Sequence, residues 1–291
     1  MTKSHQPDLA TALQQYMVVQ LHVVEEEQAR VIAGTDPEAL HRFRVALRRS
    51  RALLSEFKAL LSPQLEAFRS QLAEVARVTN ECRDVDVFLD ALANDRDLLP
   101  VFLLSGLDTL EGHLEVRRRI AHREVVNFLH SAHYRSLLTS WRTWLEGPAS
   151  RLLTREQVPL AKALRKNIRR RYRKVTSQLA GLSKDTEVEE IHRFRIACKK
   201  LRYVLEFAVS QAGGKRAKAA IRVLKELQTS LGDHHDANIQ SQWLHDYLME
   251  QEPDKWTSAS VGWLSFLFEE RQRQAWRKLL KQRKKLLGLQ L

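Results

Sequence analysis

Helix-breaking residues are scarce in this chain of 291 residues, with ten glycines and seven prolines against abundant Leu, Ala, Glu, Gln, Arg and Lys. That balance predicts helices. A sustained period-two alternation of β-branched residues is missing too, which excludes a sheet. The only cysteines, Cys82 and Cys198, do not occupy equivalent places in the repeat described below. A disulfide framework is therefore not expected, and a reducing cytoplasm is the default location. Met1 to Asp8 contains no signal-peptide hydrophobic segment. No apolar run approaches the roughly 20 residues that span a bilayer; the longest, Leu98 to Leu104, is short and holds Pro100. Acid is scarce relative to base: 48 Lys and Arg minus 35 Asp and Glu leave a net charge of +13. Such a charge selects anionic partners without specifying a fold.

What the chain does contain is a doubled basic segment. His41-Arg42-Phe43-Arg44-Val45-Ala46-Leu47-Arg48-Arg49-Ser50-Arg51 returns as His192-Arg193-Phe194-Arg195-Ile196-Ala197-Cys198-Lys199-Lys200-Leu201-Arg202. The offset is 192 − 41 = 151; six of eleven positions are identical and three more are Val/Ile or Arg/Lys exchanges. A second block repeats at an offset of 152, with Asn80-Glu81-Cys82-Arg83-Asp84-Val85-Asp86-Val87 aligning on Gly232-Asp233-His234-His235-Asp236-Ala237-Asn238-Ile239. Gly147-Pro148 is the best boundary between halves, giving repeats over 8–147 and 148–287. Each half reads as helix, His helix, helix, Asp-started helix, and short loops between such helices build an antiparallel bundle.

Punctuation along the chain predicts the helix limits. A helix follows Pro7-Asp8 and stops at Gly34; Thr35-Asp36-Pro37-Glu38 starts the His41 helix, which runs to about Leu61. Ser62-Pro63 opens a third helix, Asp84 caps a fourth, and a long stretch from Leu99 to about Leu145 breaks near Ser131. In the second half a very basic helix spans about Gln157 to Leu182. The second His helix follows, over about Val188 to Gln211, and ends at Gly213-Gly214. Gly232-Asp233 is expected to be a turn between two helices, and after Pro253 a last helix runs from about Ser258 to Lys285. Its basic end reads as a solvated, frayed tail.

At about 100° per residue, with His41 at zero, Arg44, Arg48 and Arg51 fall near −60°, −20° and −80°. They form a straight stripe at i, i+3, i+7 and i+10. Phe43, Ala46, Leu47, Leu53, Leu54, Phe57 and Leu61 lie on the opposite face. His192, Arg195, Lys199 and Arg202 repeat the stripe, and Phe194, Ala197, Cys198, Leu201, Val204, Leu205 and Ala208 face away. An ordinary solvated face mixes signs, because like charges at i, i+4 destabilise a helix. Here no acid enters either stripe until Glu206. An external anion is the simplest compensation. Phosphate suits it, since Arg offers a planar fork of donors and Lys a point charge. His adds a donor whose charge is set near neutral pH.

The doubled His-x-x-Arg-[Val/Ile]-x-x-[Arg/Lys]-[Arg/Lys]-x-Arg, each copy followed about forty residues later by an Arg-Asp-x-Asp type block, resembles the CHAD domain, the conserved-histidine α-helical domain. Arg202-Tyr203-Val204-Leu205-Glu206 fits the family's second repeat. The resemblance covers residues 8 to 285. It implies an all-α fold of two tandem antiparallel helical bundles related by pseudo-two-fold symmetry, with a basic groove or pore between them. It also implies binding of inorganic polyphosphate, or of other phosphate-rich anions, and association with polyphosphate granules in the cytoplasm, with neither membrane nor cofactor. The family's basic positions fall here on His41, Arg44, Arg48, Arg49 and Arg51, and on His192, Arg195, Lys199, Lys200 and Arg202. Arg165, Lys166, Arg169 and Arg173 of the basic helix extend the expected surface. Arg42 and Arg193 lie off the stripe and rank lower. One departure is clear: Arg83-Asp84-Val85-Asp86 is intact, but its counterpart is His235-Asp236-Ala237-Asn238, which leaves only a titratable cation at the first position. Relatives often carry a CYTH triphosphate-binding domain upstream, for which this sequence leaves no room.

Two other functions compete. An enzyme would use His41 or His192 as phosphoacceptor, or a metal held by Asp84/Asp86 or His234/His235/Asp236. Asp at a helix start is explained more simply by capping plus an ion pair with a neighbouring Arg, and three adjacent residues point in different directions on a helix. Nothing resembles a Gly-rich phosphate loop, so neither catalysis nor a metal is expected. RNA is the second competitor. Single-strand binders place aromatic rings within the basic surface, whereas Phe43 and Phe194 lie on the apolar faces.

Overall fold

Capping chemistry sets most helix ends where the sequence places them. The computed structural model describes residues 8–154, 158–183 and 186–289; the expected boundary residues Pro7 and Gln157 lie outside them. The Asp8 carboxylate accepts from Thr11 N at 2.9 Å and opens α1 (Leu9–Ala33), which Gly34 ends with φ +68°. Asp36 accepts from Glu38 N at 2.9 Å and Pro37 takes the first position of α2 (Pro37–Glu56). Then come α3 (Pro63–Val78), α4 (Asn80–Asp95), α5 (Leu104–Leu129) and α6 (Ala132–Glu146). Ser131 separates the last two, its hydroxyl accepting from Tyr134 N at 3.1 Å. The second half holds α7 (Leu160–Gly181), α8 (Val188–Ala212), α9 (Lys215–Gln251) and α10 (Lys255–Leu287). Gly213 and Gly214, with φ of +68° and +116°, make the α8–α9 turn, a conformation that glycine adopts without strain. Among the described residues there is no strand, only two isolated bridges, and the fold is all-α.

Five expectations change. Gly232-Asp233 is no turn, because α9 runs unbroken through it. Leu227, Leu231, His234 and Ala237 keep one buried face going past the glycine, and packing along α10 outweighs the roughly 1 kcal/mol cost of a helical glycine. Asp84 does not cap a helix; α4 begins at Asn80, so Asp84 lies inside it. The His41 helix stops at Glu56 and continues as a 3-10 turn, Lys58–Leu60, and the stretch after Leu99 forms a 3-10 turn before α5 starts at Leu104. The basic end of α10 is docked and helical to Leu287, with Leu279 and Leu286 fully buried.

Three apolar cores organise the helices. The first gathers α1, α2, α3, α6, the end of α5 and the start of α7, with Val204 and Phe207 from α8. The second joins α7, α8, the first part of α9 and the end of α10. The third takes residues from both sides of Gly147: Val85, Phe88 and Leu92 of α4, Leu107, Leu110 and Leu114 of α5, Ala237 and Leu244 of α9, and Val261, Leu264 and Phe268 of α10. Because Val85 and Ala237 share that core, their neighbours Asp84 and Asp236 are brought toward one another.

The seam between α5 and α10 is tight at Gly106, where an added Cβ would sit 2.5 Å from the Trp256 carbonyl oxygen and against the Ser260 hydroxyl. That hydroxyl donates to Leu103 O at 2.7 Å, so it cannot simply swing away. Gly106→Ala is expected to lower unfolding free energy by about 1–3 kcal/mol in urea titration. Gly112→Ala, on the same helix with open space around it, should instead be neutral or stabilising by up to about 1 kcal/mol.

Candidate functional site

Both apolar faces are buried as the angular pattern requires: Phe43, Leu47, Leu53, Leu54 and Phe57 on α2, and Phe194, Cys198, Leu201, Val204 and Leu205 on α8. The opposite stripes, however, do not form outer faces. His41, Arg44, Arg48, Arg49, Arg51, His192, Arg195, Lys199, Lys200 and Arg202 are all half-buried. The reason is that α2 and α8 pack on one another. Arg49 Nε of α2 donates to Glu206 of α8 at 3.2 Å, and Tyr16 and Phe57 stack edge-on against Phe207 at 5.3 and 6.1 Å.

The stripes meet around Arg48. Its charge bears on Arg44 and His41 of its own helix and on Arg195 and Lys199 of the other. Arg44 is anchored by the α3–α4 junction, donating to Ala76 O at 3.0 Å, Thr79 Oγ1 at 2.7 Å and Asn80 Oδ1 at 2.8 Å. The Nε atoms of Arg44, Arg48, Arg195 and Arg202 are buried with no protein acceptor among the described residues. The Lys199 amine likewise has no hydrogen bond or ion pair among them. Burial first, then Arg195 and Arg48, pushes Lys199 down to about 7. Burial and Arg48 also lower Arg44, to about 10. These are cations crowded out of water without enough acid to match them.

Three acids face the cluster. Glu206 lies 3.7 Å from Arg202 Nε and also pairs with Arg49; the other two belong to the second repeated block. Asp84, exposed on α4, acts on Arg44 and Arg195. Asp236 on α9 acts on Arg195 and Lys199; burial nevertheless lifts its carboxyl above the ordinary range. The sequence suggests caps, an ion pair with a neighbouring Arg, or metal ligands for these residues; the cations they face lie on α2 and α8 instead. The available signal was that both repeats retain Asp at this position.

The histidines carry less charge than expected. Burial and then Arg83 push His41 below the usual imidazole range. His192 and His235 rings lie 5.3 Å apart, and burial followed by Arg195 takes His235 down to about 4. So the position where His235 replaces Arg83 holds a neutral ring at pH 7, not a cation. His234, the preceding residue, is buried against Trp276. Among the described residues no three His, Cys, Asp or Glu side chains converge to hold a metal ion.

The remaining cations divide. Arg51, lowered by burial and Arg69, and Lys200, lowered by burial and Arg171, belong to an adjoining patch over buried Glu56. Glu56 accepts from Arg170 at 3.0 Å and from Arg171 Nε at 2.6 Å, tying α2 to α7. Arg165, Lys166, Arg169 and Arg173 are exposed and line an open groove of about 990 Å³ along α7. Among the described residues, no hydrogen bond or ion pair joins those four to the cluster. Arg42 is held by Glu27 at 2.6 Å and Asp36 at 2.7 Å, and Arg193 by Glu190 at 3.3 Å, which accounts for their place off the stripe.

The description "CHAD domain" matches residues 15–245, so this chain belongs to the CHAD-domain family, a family associated with polyphosphate binding. Its fold is similar to the crystal structure of the CHAD domain from the plant Ricinus communis, with a TM-score of 0.82 at 23% identity, covering 100% of this chain and 95% of that one. It is also similar to PptA from Streptomyces chartreusis, with a TM-score of 0.76 at 19% identity, covering 96% of this chain and 100% of that one. No curated protein matches. At these identities the likeness speaks to the fold. No helix among the described residues is long and apolar enough to cross a membrane.

The crowding of Lys199 has a measurable consequence. Its folded value, about 7, lies below the roughly 10.4 of an unfolded chain, so the unfolded state binds more protons between those limits. Stability therefore rises with pH across that window, and the full penalty applies below it. In buffer free of multivalent anions, unfolding free energy should rise by about 1–3 kcal/mol more between pH 7 and 9.5 in the wild type than in Lys199→Met. Equal pH dependence in urea titrations of the two proteins would contradict it.

Proposed function

We propose that the protein binds inorganic polyphosphate in the cluster where the two stripes meet. The observation that carries this is the set of buried donors without acceptors: the Nε atoms of Arg44, Arg48, Arg195 and Arg202, beside an unpaired Lys199. Phosphoryl oxygens would supply those acceptors. Arg48, Arg195 and Arg202 would hold them by their planar forks and Lys199 by its point charge. His41 and His192 would donate a ring N–H, and Arg49, Arg51 and Lys200 would follow the chain outward. Each half, 8–147 and 148–287, contributes one stripe to a single basic groove with pseudo-two-fold character. The exposed Arg165, Lys166, Arg169 and Arg173 form a further surface for long chains. The role is binding, not catalysis, and it suits a protein of the cytoplasm associated with polyphosphate granules. Triphosphate or nucleotides would be weaker ligands of the same cluster.

RNA binding is the second reading. Against it, the nearest phenol, Tyr203, is buried beneath the Arg202 guanidinium at 5.1 Å and offers no face to a base. Polyphosphate should displace bound RNA at stoichiometric amounts, while RNA should fail to displace polyphosphate.

Losing one charge-assisted hydrogen bond costs on the order of tenfold in affinity. Arg48→Gln/Arg195→Gln should therefore weaken polyphosphate binding about 100-fold in a titration at fixed salt, with helicity retained. Arg277→Gln/Lys281→Gln, removing the same charge from exposed positions of α10, should change it by less than about threefold. Equal losses in the two variants would replace the cluster by diffuse attraction. The four-residue change Arg165→Gln/Lys166→Gln/Arg169→Gln/Arg173→Gln should weaken long chains and leave tripolyphosphate unaffected.

A further inference from the structure

The one amine within the cluster has an unusual setting. Lys199 Nζ is half-buried and has no carboxylate or other acceptor within bonding reach among the described residues, unlike Lys58 and Lys285, which pair with Glu66 and Glu226. It is faced from α2 by Arg48, from its own helix by Arg195 and Arg202, and from α9 by Asp236. His235 stands beside it, a neutral ring. Guanidinium groups with spare donors thus surround a primary amine on several sides.

We propose that Lys199 is a site of acylation by acyl phosphates, the arginine cluster seating the phosphate of the donor and the amine attacking its carbonyl carbon. A bond forms between Nζ and the carbonyl carbon, and the carbon–oxygen bond to phosphate breaks. Phosphate leaves with that electron pair and takes up the proton released as the amide forms. In the anion-free cluster, burial and neighbouring cations lower Lys199 to about 7, so part of the population meets the incoming donor as free amine at pH 7. An exposed lysine, by contrast, is almost wholly ammonium there. Seating the donor adds proximity to reactivity. The product is an uncharged amide in the middle of the cluster, so acylation would weaken anion binding. This inference rests on the anion-binding reading of the cluster, with a substrate class of its own.

The test uses the full chain and acetyl phosphate at pH 7, with acetylation followed lysine by lysine by peptide mass spectrometry. Lys162 in the α7 groove and Lys281 on α10, both exposed, serve as internal references. Nucleophilicity falls with basicity, as it does for thiols, but far less steeply than the free-amine fraction rises. Lys199 should therefore react on the order of tenfold faster than either reference. That preference should shrink with acetic anhydride, which has no phosphate to seat. Saturating tripolyphosphate should slow Lys199 at least tenfold and leave Lys281 unchanged. Lys199 reacting no faster than Lys162 and Lys281, or an equal preference with both reagents, would overturn the proposal. Should polyphosphate bind tightly in a separate titration while Lys199 stays unreactive, only the acylation site falls. Rapid, phosphate-dependent acetylation in a protein that binds no polyphosphate would retain it and discard the polyphosphate reading.

Discussion

The apolar faces of α2 and α8 are locked into cores, α2 into the first and α8 chiefly into the second with Val204 and Phe207 reaching the first, and the molecule's charge arrangement depends on that constraint. Phe43, Leu47 and Leu54 are fixed in the first core, and Phe194, Cys198 and Leu201 in the second. Turning either helix to release its cations into water would expose these side chains at about 1.5–3 kcal/mol each. Repulsion between partly solvated guanidinium groups is smaller than that sum. Packing therefore wins, and the two basic rows are left to meet half-buried between the helices.

The repeat survives at the level of partners and diverges at the level of charge. Arg44 has Asp84 nearby, and its counterpart Arg195 has Asp236. Outside the cluster the correspondence loosens in a compensated way. Asp86 accepts from Arg118 at 2.6 Å, while its counterpart Asn238 accepts from Gln272 at 3.4 Å. An ion pair in one half has become a neutral amide contact in the other, so acid and base were lost together and neither is left uncompensated. Where His235 replaces Arg83 no such compensation was needed, because the ring is neutral.

Much of this was legible in the residues. Capping and glycine positions located most helix ends, and the 100° progression separated Phe43 from Arg44 and Phe194 from Arg195 correctly. What could not be read was which side of the stripe meets solvent. Periodicity identifies an apolar face, but an opposite face of arginines reads the same whether water or another helix covers it. The contact of α2 with α8 is long-range and has no local signal. Gly232 misled for a related reason, since its turn propensity is local while the α9–α10 packing that overrides it is tertiary. Asp84 and Asp236 were visible as repeated residues, but their cationic partners lie on other helices.

Acid within a cluster proposed to bind anions looks counterproductive, yet its amount is informative. Without Asp84, Asp236 and Glu206 the five cations Arg44, Arg48, Arg195, Lys199 and Arg202 would repel with nothing between them. With an acid for each, the cluster would be satisfied and would have no use for a ligand. Three acids against five cations, with Glu206 shared by Arg49, leave it between those limits: it folds, but with buried guanidinium donors unmatched. A monoanion could satisfy only part of that surplus, because the unmatched donors come from both helices. A ligand carrying several linked negative charges meets donors on both without gathering separate ions at separate entropic cost. The surplus thus favours a chain of phosphates over single phosphate ions, for the same reason that the ligand-free cluster lowers Lys199.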